Sequence, residues 1–205
     1  YYKTKAQCLL GKATSLMDIY KADSQNSFNA FLSSSIKIKA SRRRILFSLP
    51  IHTISNNLLF KILKHNNVSA ENIKAIQESV KFQKEIFKNT IEQNVIEDEI
   101  SILSKEEFGK VKPFLFLADI FYDKKIYYTY EDYLEHINLT KKYEKENKNY
   151  KLSINNNNTF KNIQILVCEK NWVMISKANS PSIHFVIHHP KLRNAIENFI
   201  PPVVE

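Results

Sequence analysis

The chain has 205 residues, of which 43% are hydrophobic, 25% charged and 12% aromatic, a globular make-up that excludes a disordered chain. With 2 Gly and 6 Pro it is neither collagen-like nor a proline-rich linker. Lys and Arg number 30 against 21 acids, a net charge of +9 that brings polyanionic partners into consideration.

Ala6, Leu10, Ala13, Leu16, Met17 and Tyr20 recur at helical spacing and predict an amphipathic helix with no cap before it. A helix that opens without a start signal predicts a fragment, with further sequence upstream of Tyr1. No basic-then-apolar leader is present, and no run reaches the ~18 apolar residues of a membrane span. A cytoplasmic bacterial protein with no membrane contact is expected. Cys8 and Cys168 read as two reduced, buried thiols rather than a disulfide.

Ser27 is the expected cap of a second helix, with Phe28, Phe31, Leu32, Ser35, Ile36 and Ala40 on one face. Arg42–Arg44 leads into Ile45–Pro50, an apolar run read as a buried strand. Ser55 and Ser69 then cap two helices, one over Asn56–His65 and a longer one to about Gln93. This helix–strand–helix order describes a mostly helical α/β segment over residues 1–95.

From residue 96 the pattern changes. Ile100 and Ile102 alternate with polar residues, and Ser104 with Glu107 forms a capping box. Lys112–Asp123 suits either a strand or a short helix. Thr129 starts a helix to about Lys148, with Tyr130, Tyr133, Leu134, Ile137 and Tyr143 as its packing face. Ile163–Cys168 and Trp172–Ser176 form a hairpin, Ile183–Ile187 a third strand, and Pro190 opens a final helix that Pro201-Pro202 ends. The expected fold class is α+β: a helical N-terminal part with one buried strand, and an antiparallel β-meander packed on helices. Segments 1–95 and 96–205 either form two domains or run on as one.

Four constellations carry possible chemistry. Lys37, Lys39, Arg42, Arg43 and Arg44 place five cations in eight residues, either an anion contact or a solvated helix end. Tyr128, Tyr130 and Tyr133, with Trp172 and His184, could line a small-molecule pocket between the Tyr130–Tyr143 helix and the meander, or simply cover that interface. His184 and His188 stand roughly 13 Å apart along a strand, too far to share one metal ion, so no metal site is expected. His189-Pro-Lys191 has the His-x-Lys core of the phospholipase D motif, but Ile196 stands where that motif needs Asp, and no second copy occurs. Gly11 and Gly109, the only glycines, exclude phosphate loops, dinucleotide fingerprints and nucleophile elbows. No cofactor and no catalytic residue is implied.

Trp172–Phe199 and Phe121–Tyr133 resemble the C-terminal part of a group of Firmicutes transcription regulators, a likeness covering roughly Phe114–Glu205. The resemblance implies a regulatory region that accompanies a helix-turn-helix domain, and carries over no site residue. The expected function is therefore a non-catalytic ligand-sensing or dimerisation domain, with a small-molecule effector, a homodimeric state, and DNA contact through a part outside this sequence. A nucleic-acid-binding protein using residues 37–44 is the rival expectation, and a hydrolase without a recognisable motif is the third.

Overall fold

The computed structural model describes residues 17–21, 31, 33–116, 125–155, 163–177 and 183–200. In chain order these hold β1 (Met17–Lys21), β2 (Arg42–Ile45), a 3₁₀ turn (Ile51–Thr53), α1 (Asn56–His65), α2 (Ala70–Ile91), β3 (Ile96–Ile100) and α3 (Lys105–Val111). There follow β4 (Phe114–Leu115), β5 (Ile126–Tyr127), α4 (Tyr130–Glu146), β6 (Tyr150–Ile154), β7 (Ile163–Cys168), β8 (Trp172–Lys177), β9 (Ile183–Ile187) and α5 (Pro190–Phe199). Side-chain chemistry starts four of the helices. Ser55, Ser69, Ser104 and Thr129 each accept the backbone N–H three residues on, and Glu107 returns the bond to Ser104.

Seven strands pair in the order β1-β9-β8-β7-β2-β3-β6. β3 runs parallel to both β2 and β6, as the helical crossovers between them require, and the other pairs are antiparallel. The fold class is α+β, with the antiparallel meander β7–β9 joined to a parallel half through β2. Strands from both sequence segments share this sheet, because β2 lies between β3 and β7.

The largest core cluster joins Leu58, Leu59, Ile62 and Leu63 of α1 to Ile76 and Val80 of α2, with Tyr133 and Ile137 of α4. One sheet face carries Arg42, Arg44, Ile96, Asp98, Tyr150, Leu166, Met174 and His184, as the two-residue pleat and the pairing register dictate. Phe87 and Ile91 of α2 pack on its Ile96–Tyr150 end, and Phe31, Ile38 and Ala40 on its Trp172–Met174 end. Ile196 and Ile200, in and after α5, cover Ile165 and Val173 on the opposite face.

Two expectations need correction. Met17–Lys21 is a strand and not the end of a helix, because pairing with β9 outweighs its helical spacing. The buried strand is Arg42–Ile45 rather than Ile45–Pro50: the arginines enter the sheet because β3 supplies their counter-ions. Tyr150–Ile154, directly before the asparagine run, is a strand and pairs with β3. Residues 1–16, the Ser27 cap, most of Lys112–Asp123 and Pro201-Pro202 lie outside the described residues.

Candidate functional site

The pleat of β2 aims Arg42 and Arg44 at the same side of the sheet, and the two guanidinium groups have different surroundings. Arg44 grips Asp98 with two bonds, Nε to Oδ1 and Nη2 to Oδ2, both 2.5 Å. The Tyr150 hydroxyl donates to the same carboxylate at 2.8 Å, and the Phe87 ring lies 4.7 Å from the Arg44 guanidinium carbon. Burial works against the Arg44 charge, but Asp98 more than restores it and holds the pKa above its ordinary value.

His52 follows Pro50 into the 3₁₀ turn and stacks on Phe87 with ring centroids 3.4 Å apart. Its Nδ1 lies 3.3 Å from Arg44 Nη2, and a guanidinium nitrogen can only donate. Nδ1 is therefore the acceptor, and the ring hydrogen sits on Nε2. Burial, reinforced by the Arg44 charge, holds His52 well below the usual histidine range, so the ring is neutral. Its Nε2 has no hydrogen-bond partner among the described residues.

Arg42 is 7% exposed. Its Nη2 donates to the Ser35 carbonyl at 2.5 Å, and its guanidinium carbon lies 5.8 Å from the Trp172 ring centre. Its Nε has no partner and no described carboxylate lies within ion-pairing distance. The Trp172 indole N–H, on a residue 2% exposed, is also without a partner among the described residues. Beside them His184 Nδ1 lies 2.8 Å from Ser176 Oγ, and burial lowers the His184 pKa to about 4.

These groups surround one cavity of about 180 Å³ between the sheet face and α2. Leu46, Leu49, Ile86, Phe87, Leu166 and Met174 supply apolar wall, and Ser48, Gln83 and Gln164 add neutral polar atoms. Among the described residues no carboxylate lines it. No group of three His, Cys, Asp or Glu side chains among the described residues is placed to hold a metal ion.

The structure divides the residues that the sequence groups together. Trp172 and His184 line this cavity with Arg42 and Arg44, whereas Tyr128 and Tyr133 line a separate cavity of about 490 Å³ near α3, β4 and β5. Tyr130 packs edge-on against Phe108. Among the described residues the expected surface between the Tyr130–Tyr143 helix and the meander does not form. α4 instead packs on β6, α1 and the 3₁₀ turn, and the meander is covered by Phe31, Ile38, Ala40 and α5.

The hydroxyls of Tyr128 and Tyr133 serve the interior. Tyr133 donates to the Ser101 carbonyl and accepts from the Leu103 N–H, and Tyr128 lies 2.7 Å from His136 Nδ1. Of the basic run, Lys37 and Lys39 are exposed, Arg43 pairs with Glu99 at 2.7 Å on the opposite face, and Arg42 and Arg44 are turned inward. Sequence reasoning does not single out His52, Phe87 or Asp98. A signal exists for Asp98, since Glu97-Asp98-Glu99 complements Arg42-Arg43-Arg44 in charge at strand spacing, while His52 carries none. No known protein family, curated protein or solved structure matches the chain, so its function is to be read from this geometry.

Proposed function

We propose that the chain is a ligand-sensing regulatory domain of a cytoplasmic bacterial transcription regulator, binding a small molecule in the cavity between the sheet face and α2. The observation that carries this reading is the cavity itself. It is a concave space of about 180 Å³ with apolar walls and several buried polar groups. That combination is the ordinary form of a small-molecule pocket. The link to transcription rests on the resemblance of residues 114–205, which also motivates a homodimer and DNA contact made by a separate part of the protein.

Nucleic-acid binding by residues 37–44 is disfavoured because Arg43 and Arg44 are committed to Glu99 and Asp98, leaving two exposed lysines. A hydrolase has one observation in its favour, the Ser176–His184 contact at 2.8 Å. Against it, a histidine pushed down to about 4 is a weak general base near neutrality, and Ser176 is completely buried.

Trp172 is the only tryptophan in the chain and lines the cavity, so its emission reports on occupancy. Titration with a panel of metabolites is expected to give a saturable emission change and a rise in Tm for at least one. Gln83→Phe, which fills the cavity from the partly exposed face of α2, is expected to abolish both. A panel in which no compound moves either signal overturns the reading.

A further inference from the structure

Resting on that reading, we propose that the ligand is a small organic carboxylate, its anionic end held by Arg42, His52 and Trp172 and its apolar body by Phe87, Leu166 and Met174. The argument begins with a count of donors against acceptors. Arg42 Nε–H, His52 Nε2–H and Trp172 Nε1–H are unpartnered donors on three side chains that line one cavity. Each belongs to a residue at least nine-tenths buried. Nothing about their protonation leaves room for an alternative polarity: indole and guanidinium nitrogens only donate, and the contact from Arg44 to His52 Nδ1 puts the histidine hydrogen on Nε2. An unmade hydrogen bond on a buried donor is costly, so three together call for a partner rich in acceptors.

Charge narrows the class further. The two inward-facing arginines differ in that Arg44 has Asp98 and Arg42 has no described carboxylate within reach. A buried cation without a counter-ion is costly, and a ligand that brings the negative charge removes that cost. A carboxylate supplies two oxygens with about four lone-pair sites, enough for the three N–H groups, in the plane that a guanidinium recognises.

Size and wall chemistry then separate an organic acid from an inorganic anion. A cavity of roughly 150 Å³ lined by apolar side chains holds one benzene molecule. About 180 Å³ therefore takes a ring or a branched chain of similar bulk together with a carboxylate. Phe87, Leu166 and Met174 would leave a phosphate or sulfate ion facing hydrocarbon on much of its surface, whereas they suit the body of an aromatic or branched-chain acid.

The test uses the intact chain with benzoate, benzyl alcohol as the uncharged counterpart of similar shape, 3-methylbutyrate and inorganic phosphate, read by Trp172 emission and by Tm. Benzoate or 3-methylbutyrate is expected to bind saturably at pH 7, at least tenfold more tightly than benzyl alcohol, with phosphate inert. Arg42→Met is expected to remove that preference while benzyl alcohol still binds, and to raise Tm without ligand because the lone buried charge is gone. Equal affinity for benzoate and benzyl alcohol in the unaltered protein would overturn the carboxylate assignment and leave the cavity reading standing. Phosphate binding as well as benzoate would overturn the role of the apolar wall. If neither carboxylate binds while some uncharged metabolite does, the proposal fails alone. If nothing moves Trp172 at all, it fails with the reading beneath it. The comparison of benzoate with benzyl alcohol needs no variant, so it stands even if Arg42→Met does not fold.

Discussion

Asp98 is the residue on which the buried charge of the sheet depends. Its fully buried carboxylate neutralises Arg44 and accepts the Tyr150 hydroxyl, and Arg44 in turn orients the His52 ring in the cavity wall. Removing one member of a buried ion pair strands the other, which typically costs about 3–5 kcal/mol. Asp98→Asn is expected to lower stability in urea by that amount. Tyr150→Phe, which deletes one hydrogen bond to a charged group, is expected to cost about 2 kcal/mol. Equal effects from the two, measured by urea denaturation of each variant, would mean that the Arg44 charge is compensated elsewhere. The sequence displays acidic and basic triplets of matching length, but only pairing of β2 with β3 in register sets Arg44 against Asp98.

At the scale of elements, helix starts are the most legible feature, because a cap acts through a backbone N–H only three residues away. Ser55, Ser69, Ser104 and Thr129 all cap where their spacing predicts. Thr129→Ala is expected to destabilise the protein by about 1 kcal/mol and to speed hydrogen exchange in the first turn of α4, with Thr129→Ser nearly neutral. No change in exchange at the Asp132 amide would show that the cap contributes nothing. Strands are less legible. Arg42–Ile45 reads as a charged approach to an apolar run, and Met17–Lys21 reads as helix, because what makes each a strand is a neighbour far along the chain. β2 finds its neighbours in residues 96–99 and 165–168, and β1 in 183–187.

For the whole molecule, β2 is the strand that unites the two sequence segments. A fragment spanning 96–205 keeps β3, β6 and the meander but loses the strand between them. It is expected to show no cooperative thermal transition by circular dichroism, and a sharp transition would mean that the segment is an independent domain. Stability also follows pH through buried histidines. Burial lowers His136 to about 3 and His184 to about 4, against about 6.5 for an unfolded chain. Above pH 6.5 both states are neutral, and the stabilising contribution is fully present. Between 6.5 and about 4 the unfolded chain takes up protons that the folded one refuses, so stability falls as pH falls, by up to about 1.4 kcal/mol per pH unit for each histidine. The urea midpoint is expected to hold between pH 8 and 7 and to drop from 6.5 to 4.5, less steeply in His184→Gln. A midpoint independent of pH in that range would show these rings to be protonated in the fold.

By itself the sequence determined what depends on near neighbours: the helices from Ser55 onward and their caps, the hairpin and third strand of the meander, and the α+β class. The sequence also groups Trp172 and His184 with the tyrosines as the wall of one pocket. Only the tertiary structure decided their company. It turned Tyr128 and Tyr133 inward to hydrogen-bond the backbone and His136, and it drew Arg42 and Arg44 of the basic run inward while Lys37 and Lys39 stayed exposed. It then brought Arg42 from one end of the chain, His52 from a turn and Trp172 from the meander around one cavity. Local signals act over three or four residues through backbone geometry. A pocket is made by side chains more than a hundred residues apart, whose meeting depends on strand order and register, and neither is written in any short stretch of the chain.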